Sequence, residues 1–497
     1  MRGLSENAIF LIEYKRNVYE EISIIIHIKS VTERKKVYKL HNDSFRNAER
    51  KRRTLVMKKK FISMLLAGTM VLSLAACGGG GSTGGDSGDD GSEAMGTSDD
   101  ENTLTVAAWD PGFNIPALEA AAADYKENVN ADFVLDIKEQ SGSSDIETAI
   151  TTAASAGNYD TLPDIVLFQD HWFQNYYTNY PDAWQDINDA DVNWDDFSQE
   201  KLGYSMIDDV HYGMPVDNGA VITAYRVDLL EEAGYTIDDL TGITWERFIE
   251  IGKDVKDATG KYLMCMDGDG NDLIYLMMQA EGESQFKDGK PYIVGNDTLK
   301  EVIQTIVDMA NAGVLLLSNS WSDYTDQAIQ GDQVAGVMNG NWIIPTMEMV
   351  EANSGKWEIT TMPTLTGEEG YASNGGSSLY ITANCKKTDL AKDFLAYTFG
   401  ASTATYDKAL TDGGVISCYA PAGESEVYNE GVAFFNDQPI YTTIVEMGTH
   451  VIPVEQSDYH YTCRTQLAAA VINIINGGDI DDELQLAEDQ LNHEMGN

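Results

Sequence analysis

Two short apolar runs constrain this chain more than any other feature. Residues 104–109 (Leu-Thr-Val-Ala-Ala-Trp) and 162–168 (Leu-Pro-Asp-Ile-Val-Leu-Phe) read as strands, and between them residues 115–129 and 146–156 carry apolar side chains at helical spacing. Asp110-Pro111-Gly112 is a turn that closes the first run. Strand, helix, strand implies a parallel α/β sheet, and such sheets gather their ligands outside the carboxyl ends of the strands. Trp109, Asp110, Asp170 and Trp172 stand at those ends. The alternation continues to the C-terminus. Leu299, Val302, Ile303, Ile306, Val307 and Ala310 recur at three- and four-residue spacing before Gly313, which predicts an amphipathic helix. Thr244 caps another, with Glu246 in its first turn, and residues 390–399 form a third that Gly400 closes. At 497 residues the chain is too long for one core, so two lobes are expected.

Charge narrows the partners. Of 33 Lys+Arg and 80 Asp+Glu, 16 and 7 respectively precede residue 77, which leaves a net charge of −56 on the rest. Such a body repels phosphates and argues against a nucleic-acid partner. Read more plainly, it is a solvated acidic shell. Cys265, Cys385, Cys418 and Cys463 follow no metal-ligand spacing and read as small buried hydrophobes, with one disulfide among them left open.

Residues 57–76 read as a secretion signal. Lys58, Lys59 and Lys60 precede an apolar run over 61–76 that is too short, with these flanks, to span a membrane. Leu74-Ala75-Ala76-Cys77 is similar to the bacterial lipoprotein signal, which implies that the Cys77 thiol takes a diacylglyceryl group and becomes the N-terminus. The alternative is a plain signal peptide with an incidental cysteine. Residues 78–100 are a Gly/Ser/Asp tract with almost nothing to bury, so 77–100 is expected to be a tether. Residues 1–56 do not suit a signal peptide. Translation is therefore expected to begin at Met57, with a cytoplasmic extension as the alternative.

Further along, four segments in order carry a resemblance. Residues 212–235 (Tyr-Gly-Met-Pro-Val-Asp-Asn-Gly-Ala and onward) with Thr244-Trp245 resemble the hinge-crossing segment of family 1 extracellular solute-binding proteins, the maltose-binding-protein-like receptors of ABC sugar importers. Residues 328–342, ending Asn-Gly-Asn-Trp, resemble that family's helix, strand and Gly-x-Trp turn. Residues 374–381 (Asn-Gly-Gly-Ser-Ser-Leu-Tyr-Ile) with 390–395 match the return into the first lobe, and 470–477 with Asp482-Glu-Leu match the final helices. The resemblance implies a two-lobe periplasmic-binding-protein-like α/β fold with a hinge and an interlobe cleft. Lobe one would span 101–215 and 373–420, and lobe two 216–372 and 421–497. It implies a lipid-anchored monomer on the extracellular face of the bacterial cytoplasmic membrane. That receptor would capture a mono- or oligosaccharide and pass it to the membrane subunits of an ABC permease.

A sugar presents hydroxyls at its edge and C–H groups on its faces, so a receptor needs flat aromatic surfaces and fixed polar side chains. Trp342 is the first candidate platform, since the family carries an aromatic at this turn; a core Trp closing the lobe is the alternative. Trp109 and Trp172 follow from the strand ends, whereas Trp184, Trp194 and Trp321 default to packing. Asp170, and Asp217-Asn218 at the hinge, are candidate hydroxyl acceptors. The matched motifs add Asn341 and Gly376. Relatives place a ligand-facing residue, often aromatic, near Arg464. An arginine there would pair with a cleft Asp or bind an acidic sugar. Residues 267–272 (Asp-Gly-Asp-Gly-Asn-Asp) start like a calcium loop, but its twelfth position is Met278 where a bidentate Glu is needed. The resemblance instead implies a place for this loop at the mouth of lobe two, where Asn271 or Asp272 would reach a hydroxyl; a plain Gly-rich turn is the alternative. Seven histidines, no Gly-x-Ser-x-Gly, no His-Glu-x-x-His and no P-loop point to a binding protein without catalysis, cofactor or metal. A glycosidase hidden among the carboxylates is the alternative of another class. A peptide, polyamine or glycerophosphodiester receptor on the same fold is a third.

Overall fold

The computed structural model describes residues 95–266 and 272–496. The signal, Cys77, most of the tether and Asn271 lie outside the described residues. The chain runs β1 (Thr103–Ala108), α1 (Asn114–Asn128), β2 (Val134–Glu139), α2 (Ser143–Ala156), β3 (Ile165–Gln169), α3 (Asp170–Asn179), β4 (Trp184–Gln185), α4 (Gln199–Ser205) and β5 (Gly213–Pro215). It then crosses to β6 (Val221–Arg226), α5 (Trp245–Thr259), β7 (Met264–Met266), α6 (Asp272–Ala280), α7 (Asp297–Asn311), β8 (Leu315–Leu317), β9 (Gly336–Gly340) and β10 (Trp357–Thr360). After β11 (Ser377–Thr382) come α8 (Thr388–Tyr397), α9 (Thr403–Gly413), α10 (His460–Ile475) and α11 (Ile480–Glu494).

Local chemistry sets several of these ends. The Thr244 side chain accepts from Arg247 N–H at the start of α5, as its position predicts. The side chain of Asn296 does the same for Leu299 N–H on α7, whose buried Leu299, Val302, Ile303, Ile306 and Val307 form the expected stripe. Cys265, Cys385 and Cys463 are buried and Cys418 is half-buried, with no disulfide among these four.

The first sheet has the order β2-β1-β3-β11-β4, with β5 also paired to β11. Its first three strands are parallel, as strand–helix–strand predicts. β11 is antiparallel, with Leu379 opposite Leu167. The second sheet, β9-β6-β10, is antiparallel throughout, and β7 with β8 forms a separate parallel pair. Both sheets thus depart from the parallel pattern expected. The late strands β9, β10 and β11 return from long excursions and need no helical crossover.

Register then fixes where side chains meet. The carboxyl ends of β1 and β3 point to one edge, and Ser377, the first residue of β11, lies opposite Gln169, the last of β3. Pro215 at the end of β5 lies opposite Ser378. Four segments therefore reach one edge: 109–110, 169–170, 216–217 and 375–377. Beneath it lies buried Lys201 of α4, whose Nζ is 2.5 Å from Asp170 and 3.8 Å from Asp217 and donates to Ser377 O at 3.2 Å. Burial opposes the charge on Lys201, but Asp170 and Asp217 hold its pKa above the ordinary value.

Gly376 sits at φ +96°, and a Cβ there would come within 2.8 Å of Lys201 Nζ and 3.0 Å of Asp170 Oδ2. Removing one member of a buried ion cluster leaves the others uncompensated. Lys201→Met should therefore cost about 3–5 kcal/mol in denaturant unfolding. Adding Asp170→Asn should restore part of that loss. A Lys201→Met chain as stable as the parent would mean the cluster holds nothing in place.

Candidate functional site

The sheet edge faces a cavity of about 630 Å³. Trp109 and Asp110 enter it from the end of β1, Asn114 from the start of α1 and Gln169 from the end of β3. Asp217, Asn374 and Gly376 line it from the crossing segments. The opposite wall is Asp272 of α6, Trp321, Trp342, and Tyr461 and Arg464 of α10. Topology again explains the meeting. Parallel β7 and β8 lead toward Asp272 and Trp321, while β9 ends at Gly340, opposite Val221 where β6 begins.

The rings are held by specific contacts. Trp342 donates its indole N–H to Asn374 O at 2.6 Å and lies 5.6 Å from Trp321, with the planes at 45°. A Cβ on Gly340 would fall 2.2 Å from Trp342 Nε1 and 2.6 Å from Asn374 O, so only glycine lets the indole fold back there. Asp110 takes φ +67°, and its carboxylate accepts from Gly112 N–H at 3.0 Å.

Arg464 is buried and ion-paired with Asp272. It lies 5.4 Å from the Tyr275 ring and 5.3 Å from the Tyr461 ring, and reaches Asn374 Oδ1 at 3.4 Å. It sits on the second turn of α10 rather than starting that helix. Of the two roles open to this arginine, pairing with a cleft aspartate is the one the structure contains.

Trp109, Asp110, Asp217, Trp342, Gly376 and Arg464 come together around the cavity. Asp170, Trp172, Asn218 and Asn341 do not line it. Asp170 is spent on Lys201 and on Ser378 Oγ. Trp172 turns to Tyr461, with ring centroids 4.6 Å apart. Asn218 accepts from Ala220 N–H at 2.6 Å and donates to Ser417 O, while the Asn341 side chain donates to the carbonyls of Asn218 and Ala220. These asparagines bind the crossing segments to one another. Trp321, assigned above to packing, is 40% exposed in the cavity wall, and Tyr461 was not singled out. Trp321 has no motif to mark it, and Tyr461 only the aromatic expected near Arg464. Only the β8 end and the α10 face bring them in.

Beside the cavity runs an aromatic seam. His171 on α3 stacks on His460 of α10, with centroids 4.5 Å apart and planes 3° from parallel. Tyr204, Tyr275 and Tyr461 meet the His171 ring edge-on. His460 Nε2 lies 3.2 Å from an Arg464 guanidinium nitrogen. Among the described residues, neither nitrogen of His171 has a hydrogen-bond partner.

Comparison with known proteins agrees with this architecture. The family model for bacterial extracellular solute-binding proteins matches residues 120–436. The chain is similar to a lactose-binding protein of Rhizobium radiobacter, 32% identical over 390 residues, covering 78% of this chain and 92% of that one. An arabinooligosaccharide-binding protein of Halalkalibacterium halodurans is 22% identical over 321 residues, covering 63% and 71% of the two chains. Among solved structures, the galacto-N-biose-/lacto-N-biose I-binding protein of an ABC transporter from Bifidobacterium longum superposes with a TM-score of 0.64. It is 17% identical and covers 80% of this chain and 99% of that one. This is the fold of the two-lobe sugar-binding proteins.

The seam makes stability depend on pH. Burial, then the charges of His460, Arg464 and Lys201, hold His171 well below its ordinary pKa, and burial pushes His460 down to about 3. Unfolding returns both to about 6.5, so the native form binds fewer protons. The contribution is complete above about pH 6.5 and is lost as pH falls below it, by up to roughly 1.4 kcal/mol per pH unit for each histidine. Buried Glu200 and Asp170, whose pKa values burial raises, act in the opposite sense. The histidine part is therefore read as the stability difference between parent and His460→Gln, which should become less favourable to the parent from pH 7.5 to 5.5. A difference that stays constant over that range would show that this imidazole does not titrate on unfolding.

Proposed function

The chain belongs to the bacterial extracellular solute-binding protein family, and we propose from that premise that it is the sugar receptor of an ABC importer, binding without turnover. The observation that carries this reading is one cavity lined by the aromatic residues Trp109, Trp321, Trp342 and Tyr461 and by the acidic residues Asp110, Asp217 and Asp272. Rings cover the C–H faces of a sugar and carboxylates accept from its hydroxyls. The relatives' names favour β-galactosides as the first sugars to try. Arg464 is already paired with Asp272, and Asp110 and Asp217 add negative charge, so the cavity suits a neutral sugar better than a uronate. In the lobe division expected above, the grouping of 101–215 with 373–420 apart from 216–372 is supported by which strands share a sheet, while 421–497 contributes helices to neither sheet.

Ligand touching both walls has higher affinity for the closed form, and that difference drives closure. A thermal-shift panel of neutral mono- and disaccharides should give one whose presence at a hundred times its Kd adds about 2.7 kcal/mol. Trp342→Ala should weaken that sugar by roughly 1–3 kcal/mol and leave the apo melting nearly unchanged. A large apo loss with unchanged affinity would assign Trp342 to the core. Release of smaller sugars on incubation would instead favour the glycosidase reading.

The family is extracellular, and among the described residues no helix is long and apolar enough to cross a membrane. The lipobox-like Leu74-Ala-Ala-Cys77 supports attachment through a lipid on Cys77, with 78–100 as spacer. Two acyl chains suffice for stable anchoring. Cys77→Ser should move the protein into the medium with sugar binding intact, and retention on the membrane would point to another anchor.

A further inference from the structure

The sugar cavity does not occupy all of the space beside α3 and α10. A second cavity of about 380 Å³ is lined by Gln174, Tyr177 and Thr178 of α3 and by Gln456, Ser457 and Asp458, which lead into α10. From the end of β3 into α3 the order is Gln169 at the sugar cavity, then His171, then Gln174 at the second cavity. Toward α10 the order runs the other way: Asp458 at the second cavity, then His460, then Tyr461 and Arg464 at the sugar cavity. Each stacked histidine falls between the two cavities along its own segment, behind the residues that line them. His171 stands three residues before Gln174 on α3, about 4.5 Å of helix at 1.5 Å per residue.

From this we infer that the His171–His460 stack, faced by Tyr461, is the end wall of the sugar cavity and sets the length of saccharide that the closed receptor accepts. The inference rests on the sugar-receptor reading and deepens it.

The chemistry suits a wall. Each ring comes from an element on a different side of the cleft, since α3 packs against β3 of the first sheet and α10 against α6 and α7. The partition is therefore complete only when the two sides are together. Its core is ring-to-ring contact with no ligand-facing hydrogen bond from His171, which is 5% exposed. Near it the two sides are also tied by Asn175, whose side-chain N–H donates to Asp458 O at 2.9 Å. A longer saccharide would have to displace the stack and strand the polar groups around it. A shorter one ends against Tyr461. Beyond the wall, Gln174, Ser457 and Asp458 line the second cavity.

The test is a length series, a disaccharide, trisaccharide and tetrasaccharide of one β-galactoside type, titrated calorimetrically at pH 7.5. The unmutated protein should bind the disaccharide at least about tenfold more tightly than the tetrasaccharide. The double variant His171→Ala with His460→Ala, checked for a cooperative apo melt, should shrink that ratio by at least about tenfold, because the two cavities then run together. Equal affinity for all lengths in the unmutated protein overturns the inference, and needs no variant to do so. So does a folded double variant that keeps the parent's length profile. If no member of this or the wider sugar panel binds, the sugar reading itself fails.

Discussion

Everything at the cleft depends on one buried lysine. Lys201 lies under the edge where the ends of β1, β3 and β5 meet the start of β11, and it answers two buried carboxylates at once. Asp170 opens α3, which carries the seam, and Asp217 lies on the crossing between the two sheets. A lysine so buried is tolerated only because Asp170, Asp217 and the Ser377 carbonyl replace its water. The reverse holds for Asp170, whose carboxyl burial pushes up and Lys201 draws back down. Gly376 completes the arrangement, because any side chain at that position would enter the space that the ion pair fills.

The division of labour among polar residues follows from this. Asp170 is a structural anion that orients the start of α3, while Asp217 both answers Lys201 and reaches the cavity. Asn218 and Asn341 spend their amide N–H groups on backbone carbonyls at the crossing, and Asn374 donates to Asn339 Oδ1. The cavity wall is left to groups held from behind. Trp342 is fixed by its own N–H, and Arg464 by Asp272 and two tyrosine faces. Such preorganisation reduces the ordering that ligand binding would otherwise have to supply.

Particular residues show what was legible in advance. The 3.6-residue stripe of α7 and the Thr244 cap were readable because both are local, decided by periodicity and by one side chain meeting a backbone three residues on. Trp109 and Asp110 were readable because a parallel strand announces its own carboxyl end. Asp170 satisfied that rule equally well, yet it faces Lys201. Whether a strand-end aspartate meets ligand or lysine depends on a partner 31 residues away. Trp321 carried no signal at all, since its position follows from how β8 packs, whereas Tyr461 stands three residues before Arg464, near which the resemblance expects an aromatic.

The sequence by itself determined an α/β chain too long for one core, an acidic body unsuited to nucleic acid, and motifs in the order of a solute-binding protein. It could do so because those properties are sums over residues or local patterns. Only the tertiary structure decided that both sheets would carry antiparallel strands, that Arg464 would meet Asp272, and that His171 would lie flat on His460. These are pairings between segments up to hundreds of residues apart. Their energies come from burial and charge compensation, which exist only once the two walls of the cleft face each other.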